Sequence, residues 1–135
     1  MAKFRRQQVW QRAKGCCEYC QLPQEHSVLP HEIDHIRAKK HHGPHTLENT
    51  CIACAHCNGA KGANAAGYDS ESGDLVPLFN PREDVWVEHF LWDGPLLIGK
   101  TPVGRATIDV LSINDAICVD QREFLIKAGL FPPDR

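Results

Sequence analysis

The chain has 135 residues, 42% hydrophobic and 24% charged, with a formal net charge of −2, so one folded domain is expected and wholesale disorder is excluded. No apolar run approaches the roughly 18 residues that a membrane span needs, and residues 1–11 lack the apolar segment of a secretory signal, so a soluble cytoplasmic protein with no membrane partner is predicted. Seven cysteines, four of them in two C-x-x-C pairs, indicate metal or redox chemistry before a disulfide framework.

The front part of the chain is basic. Residues 1–61 carry nine Lys and Arg against five Asp and Glu, whereas residues 62–135 carry six against twelve. A phosphate-binding surface would therefore belong to the front part, although scattered charges and a solvated acidic tail explain the counts equally well. Residues 1–15 predict a short basic helix that Gly15 ends. It would either lie on a phosphate backbone or cap the core with Trp10.

A short hairpin and a helix are predicted next. Residues 31–36, with the sequence HEIDHI, alternate as a strand does, and residues 37–46 form a polar loop rich in turn residues. A second strand near residues 49–53 would pair with the first. From Cys57, the run CNGAKGANAA predicts a helix of weak propensity.

Residues 68–81 are predicted as a connecting loop. The next segment, residues 84–92, has the composition of a strand, and residues 93–95 form a turn into a second strand over residues 96–99. These two strands would make a C-terminal hairpin.

Two helices are predicted at the end of the chain. Thr101-Pro102 has the form of a helix cap, so residues 102–111 are expected to be helical. A last helix is predicted from about Ser112 or Asn114 to Ala128, before Gly129. We expect a single domain over residues 1–135, because the extension of about 70 residues after the core would be marginal alone. The core is predicted at about residues 12–67 and the extension at about residues 68–135.

The cysteine pairs predict a closed metal site. Cys17-x-x-Cys20 and Cys54-x-x-Cys57 can together supply the four thiolates of a tetrahedral structural zinc site. The 33 residues between Cys20 and Cys54 exceed the spacer of a compact four-cysteine module, so the HEIDHI hairpin would be inserted there. Two alternatives stay open: Cys51 also forms a C-x-x-C with Cys54, and one pair could be a redox motif.

Asp34 and His35 are adjacent, and adjacent side chains of a strand point to opposite faces. The pair suits a division of labour in which the imidazole handles a water and the carboxylate binds a cation. A core histidine beside a surface aspartate is the default alternative. A catalytic role is favoured because other polar residues follow at suitable positions. They are Asn49, Asn58 directly after a cysteine, and Lys61 one helical turn later.

Four coupled motifs lie between residues 12 and 65: CEYC at 17–20, HEIDHI at 31–36, LEN at 47–49 and CAHCNGAK at 54–61. Together they resemble the HNH endonuclease superfamily with its ββα-metal core, in the branch whose four cysteines hold zinc. Asn58 stands where histidine is common, a variant that the family uses, and Gly43-Pro44 replaces a frequent Gly-Gly. Residues 78–90 and 99–111 also resemble the C-terminal region of a bacterial HNH subgroup.

The resemblance implies an α+β fold in which a zinc-stapled ββα-metal core carries an N-terminal helix and a C-terminal hairpin-plus-helix extension. It implies His35 as the general base for the attacking water and Asn49 as the residue that holds the histidine-bearing loop. It implies Asp34 and Asn58 as ligands of one catalytic Mg²⁺ or Mn²⁺, since oxygen ligands suit these ions while thiolates select zinc. The structural zinc would be held by Cys17, Cys20, Cys54 and Cys57.

The function predicted from these features is metal-dependent hydrolysis of DNA phosphodiester bonds, by nicking or double-strand cleavage. Contacts to the DNA are expected from four basic residues, Lys61, Arg37, Lys39 and Lys40. The alternative is a non-catalytic zinc-stapled DNA-binding or interaction module, which would leave the intact Asp34, His35, Asn49 and Asn58 unexplained. A thiol-disulfide oxidoreductase is disfavoured because no βαβ pattern surrounds either cysteine pair. The oligomeric state stays open, with a homodimer as one option.

Overall fold

The computed structural model describes residues 4–134, and the elements of this part alternate between helices and short antiparallel hairpins. In chain order they are α1 (Arg6–Arg12), β1 (Glu32–His35), β2 (Thr50–Ala53), α2 (Ala55–Lys61), β3 (Ala66–Tyr68), β4 (Leu75–Pro77), α3 (Trp86–His89), β5 (Phe90–Asp93), β6 (Leu96–Gly99), α4 (Pro102–Val110) and α5 (Ala116–Lys127). The predicted α+β fold is confirmed. The first three residues of the predicted basic helix lie outside the described part. None of the described helices has the length and apolar character to cross a membrane.

The strands β1 and β2 pair antiparallel, with Asp34 opposite Cys51 and His35 opposite Thr50. Every residue of β2 is buried, and in β1 it is Asp34 that points inward. Directly after β2, Cys54 caps the N-terminus of α2, because its sulfur accepts a hydrogen bond from the Cys57 amide. The predicted hairpin and helix are confirmed, but α2 begins before Cys57 and ends at Lys61 instead of continuing.

The predicted loop over residues 68–81 is wrong in part, because β3 and β4 form a hairpin there. Asp69 stabilises the turn between β3 and β4. Its carboxylate accepts hydrogen bonds from the Glu71 and Ser72 amides, each at 3.2 Å. It also pairs with Arg105 of α4, whose Nε lies 2.7 Å from Oδ1. This guanidinium holds the pKa of Asp69 well below its usual range. A contact 36 residues away in sequence therefore anchors the hairpin.

The predicted strand over residues 84–92 is also wrong in part, because a single helical turn, α3, precedes β5. The turn leaves Val85 and Val87 exposed. It directs the Trp86 indole into the core, where Nε1 donates to the Tyr19 carbonyl at 2.8 Å. A partner far away in sequence thus overrides the local β propensity. The hairpin of β5 and β6 follows as predicted.

The C-terminal elements pack over the cysteines. Thr101 caps α4 by accepting from the Gly104 amide at 3.0 Å, as the sequence predicted. One apolar cluster joins the two parts of the chain. It contains Cys17, Tyr19, Cys20, Leu22, Cys51, Ala53, Cys54, Cys57, Leu78, Phe79, Phe90, Leu97, Leu111, Ile113, Leu125 and Phe131. The extension therefore covers the cysteine side of the ββα unit.

The close approach of α4 to the chain at His89 makes Gly104 a packing requirement. A Cβ at Gly104 would collide with the His89 backbone carbonyl, whereas a Cβ at Gly59 of α2 would meet nothing within 4 Å. We expect Gly104→Ala to lower the free energy of unfolding by about 1–3 kcal/mol. Gly59→Ala, the matched control, should be neutral or stabilise by up to about 1 kcal/mol. Urea unfolding measures both, and an equally stable Gly104→Ala would refute the packing argument.

Candidate metal centre and active site

Four cysteine sulfurs meet in the interior. The sulfurs of Cys17, Cys20, Cys54 and Cys57 all lie within 4.8 Å of one another, and all four residues are buried. The Cys20 and Cys54 sulfurs are 3.7 Å apart, close to the edge of about 3.8 Å of a tetrahedron with zinc–sulfur bonds of about 2.3 Å. The arrangement makes this cluster a candidate zinc site.

Cys51 stands outside the cluster. Its sulfur lies 3.5 Å from the Tyr19 hydroxyl and 3.5 Å from a carboxylate oxygen of Asp34. Of the two C-x-x-C motifs that contain Cys54, the structure therefore brings Cys54 and Cys57 together with Cys17 and Cys20, and it leaves Cys51 apart.

Two equivalent turns build the cluster. In the first, the Cys20 amide donates to the Cys17 sulfur at 3.4 Å. In the second, the Cys57 amide donates to the Cys54 sulfur at 3.4 Å. Because each C-x-x-C turn orients its first sulfur by its own backbone, the short spacing alone shapes half of the site.

Hydrogen bonds among the four thiols dominate their pKa values. Burial raises the pKa of Cys17, but hydrogen bonds from Cys20, Cys54 and Cys57 outweigh it and bring this pKa well below its usual value. The same bonding to Cys17 raises the pKa of Cys20 and of Cys57. One thiolate is thus stabilised at the expense of its neighbours. Four adjacent buried thiolates require a cation to balance them.

A buried ion pair connects β1 and α2. Lys61 Nζ is 3.2 Å from Asp34 Oδ1, and the side chains are 2% and 3% exposed. The Tyr19 hydroxyl donates to Asp34 Oδ2 at 2.7 Å. Burial, Cys51 and the Asp34 carboxylate raise the pKa of Tyr19 well above its usual value, so the hydroxyl remains a donor.

Lys61 differs from the expectation of a side chain that contacts DNA. Besides Asp34, its ammonium donates to the backbone carbonyls of His35 at 3.2 Å and Ile36 at 3.5 Å. Because Lys61 follows Asn58 by three residues, the two were predicted to share a face of the helix. They do, but this face packs against β1, and the Lys61 side chain is buried there. The other three basic residues predicted to contact DNA, Arg37, Lys39 and Lys40, are exposed.

His35 lies on the opposite side of β1 from Asp34 and forms a pair with a second histidine. Its Nε2 is 2.9 Å from His45 Nδ1, and the His45 ring stacks on Phe4 with ring centroids 4.4 Å apart. One imidazole nitrogen must donate and the other accept, so at least one ring is neutral. Burial, followed by the charges of Lys39 and His45, lowers the pKa of His35. The contact of His45 with His35 could not be predicted, because a polar loop of several histidines has no periodicity.

Asn49 ties the loop that follows His35. Its side-chain oxygen accepts from the Arg37 amide at 2.9 Å, and its nitrogen donates to the carbonyls of Arg37 at 3.0 Å and Pro44 at 2.8 Å. Gly43 packs so closely that a Cβ there would collide with the Arg37 carbonyl. The Gly43-Pro44 turn therefore closes on the same residue that Asn49 holds.

Asn58 lies at the outer end of the contact between α2 and β1. Its amide nitrogen donates to the carboxylate of Glu32, an exposed residue of β1. The sequence predicted Asn58 as a ligand of the catalytic cation and predicted no role for Glu32. Its only signal was its position two residues before Asp34, which places both on one face of the strand.

Comparison with known proteins finds a family match for residues 17–64. Residues 17–64 match the family model for HNH endonuclease, which confirms the resemblance carried by the four motifs. The chain is 30% identical over 101 residues to the Septu protein PtuB of Bacillus thuringiensis, a match that covers 73% of this chain and 36% of that protein. It thus spans little more than a third of the length of this curated relative. No solved structure matches the chain significantly. An HNH domain implies a nuclease-type or DNA-related function.

The pairing of Asp34 with Lys61 predicts a strong dependence of stability on both residues. Asp34→Asn should lower the free energy of unfolding by about 3–5 kcal/mol, because it leaves a buried ammonium without its counter-charge. The double variant Asp34→Asn/Lys61→Met should recover part of this loss. Urea unfolding without added Mg²⁺ measures the effect, and an Asp34→Asn variant as stable as the wild type would contradict it.

Proposed function

We propose, on the premise that residues 17–64 carry an HNH endonuclease domain, that the chain hydrolyses DNA phosphodiester bonds with the help of a divalent cation. The observation that carries the proposal is that Asn49 holds the backbone just after His35, whose imidazole pairs with His45 of the same loop. Three exposed basic side chains of the same loop can contact DNA phosphates. They are Arg37, Lys39 and Lys40.

In this proposal His35 is the general base. Its lowered pKa keeps the ring neutral near pH 7, so that it can accept a proton from the attacking water. His45 occupies the Nε2 side at 2.9 Å, and we assign the proton transfer to the Nδ1 side. In this assignment Nε2 carries the proton and donates to His45 Nδ1. The unprotonated Nδ1 can then accept a proton from the water without a change of tautomer.

Asn49 holds the loop on which the phosphate contacts depend. Its hydrogen bonds to Arg37 and Pro44 fix the backbone directly after His35. This backbone bears the basic residues, so Asn49 sets the distance between them and the imidazole. It acts through position and touches no reacting atom.

Asp34 and Asn58 are the proposed ligands of the catalytic cation. A carboxylate has about four lone-pair positions, and Tyr19, Lys61 and Cys51 donate to three of those on Asp34, so one position remains for a cation. Carboxylate and amide oxygens are the donors that Mg²⁺ and Mn²⁺ prefer. When bound, such an ion neutralises charge on the phosphate and on the leaving oxygen.

The four-cysteine cluster is proposed to hold structural zinc. Its donor set of four thiolates is the one that zinc favours, and its burial leaves no open position for a substrate. The site would join the turn after α1 to the start of α2, and so fix the helix that carries Asn58.

Plasmid cleavage tests the nuclease proposal. We expect the zinc-loaded protein to convert supercoiled plasmid to open-circular or linear DNA with Mg²⁺ or Mn²⁺, and His35→Ala to slow this by about 100- to 10,000-fold. His41→Ala, which removes an exposed imidazole from the same loop, is the matched control and should cleave at a rate close to wild type.

Two outcomes would contradict the nuclease proposal. If the folded protein cleaves neither duplex nor single-stranded DNA with any divalent ion, the non-catalytic DNA-binding or interaction module replaces it. Activity that survives His35→Ala would show that another group is the base.

Removal of a thiol tests the zinc proposal. Cys57→Ser should lose the bound zinc and lower the unfolding temperature strongly, because the cluster links separate segments of the core. Cys118→Ser changes a half-buried cysteine outside the cluster and should retain both. Elemental analysis and thermal unfolding measure the two variants. A Cys57→Ser protein with full zinc content would show that the metal binds elsewhere.

A further inference from the structure

Two polar pairs connect α2 to β1. Glu32 and Asp34 share one face of the strand because they are two residues apart, and Asn58 and Lys61 are neighbours on the helix because they are three apart. Asp34 pairs with Lys61 in the interior. Glu32 pairs with Asn58 at the surface. We call Asp34 and Lys61 the inner pair and Glu32 and Asn58 the outer pair. Both connect β1 to α2, and the outer pair lies closer to solvent.

The chemistry of the outer pair fixes the orientation of the Asn58 amide. An ionised carboxylate can only accept hydrogen bonds, so the NH₂ group of Asn58 has to face Glu32. The carbonyl oxygen, which is attached to the same planar group, is then directed away from Glu32. An asparagine without such a partner could present either its nitrogen or its oxygen to a ligand.

We propose that Glu32 is a positioning residue that presents the carbonyl oxygen of Asn58 to the divalent cation. The inference rests on the proposed function, in which Asn58 is a ligand of that ion. Outer groups that orient a ligand in this way commonly change metal affinity when they are removed. Glu32 acts here through Asn58 and contributes no ligand of its own.

The affinity for Mn²⁺, measured by isothermal titration of the zinc-loaded protein, tests the role of Glu32 independently of catalysis. Glu32→Ala should weaken Mn²⁺ binding by about 10- to 100-fold. Glu32→Gln should retain part of the affinity, because its side-chain carbonyl can still accept from the Asn58 amide, although its NH₂ group can also donate to the Asn58 oxygen. Glu25→Ala removes a carboxylate whose side chain is 78% exposed, and it controls for the loss of one surface charge.

A double-mutant comparison identifies the route of the effect. In an Asn58→Ala background, Glu32→Ala should cause no further loss of Mn²⁺ affinity, because the group it orients is gone. Plasmid nicking with Mn²⁺ should follow the same order among the variants, and thermal unfolding should show that each of them is folded.

Three results would overturn the inference. Equal loss in Glu32→Gln and Glu32→Ala would make Glu32 a ligand by its charge, and wild-type affinity in Glu32→Ala would make the pair irrelevant to the cation. In both cases a wild-type protein that nicks DNA leaves the proposed function standing. A wild-type protein that neither binds Mn²⁺ nor nicks DNA would refute both together.

Discussion

The four-cysteine cluster is the constraint on which the rest of the structure depends. It joins the turn after α1 to the first turn of α2, two segments separated by the whole β1–β2 hairpin. The C-terminal extension then buries the cluster with apolar side chains such as Leu78 and Leu125. A small ββα unit has little core of its own, and the four thiols are themselves part of the apolar cluster that joins it to the extension.

The inner pair of Asp34 and Lys61 shows how one strand serves two environments. Strand alternation sends Asp34 inward to Lys61 and Tyr19, and His35 outward to His45. The same helix that receives Asp34 carries Asn58 toward the surface. A single helix, α2, is thus held to β1 by the inner pair and carries Asn58 at the surface.

Much of the fold followed from local chemistry in the sequence. The alternation of residues 31–36, the two C-x-x-C spacings and the Thr101-Pro102 cap were sufficient to predict the hairpin, the cluster and α4. The β3–β4 hairpin and α3 could not be predicted, because Arg105 and Tyr19, which fix them, are distant in sequence. For the site, residue types and order indicated His35, Asn49 and Asn58. The burial of Lys61 and the partners His45 and Glu32 required the tertiary packing of α2 and of the loop, which no spacing encodes.

The stacking of Phe4 on His45 gives the N-terminal segment a contact with the loop after β1 that its basic composition did not suggest. The ring forms one wall of the histidine pair, although it belongs to the residues just before α1. The residues before α1 are thus joined to the loop after β1 by an aromatic contact. The pair of His35 and His45 therefore packs against a side chain from outside the ββα unit.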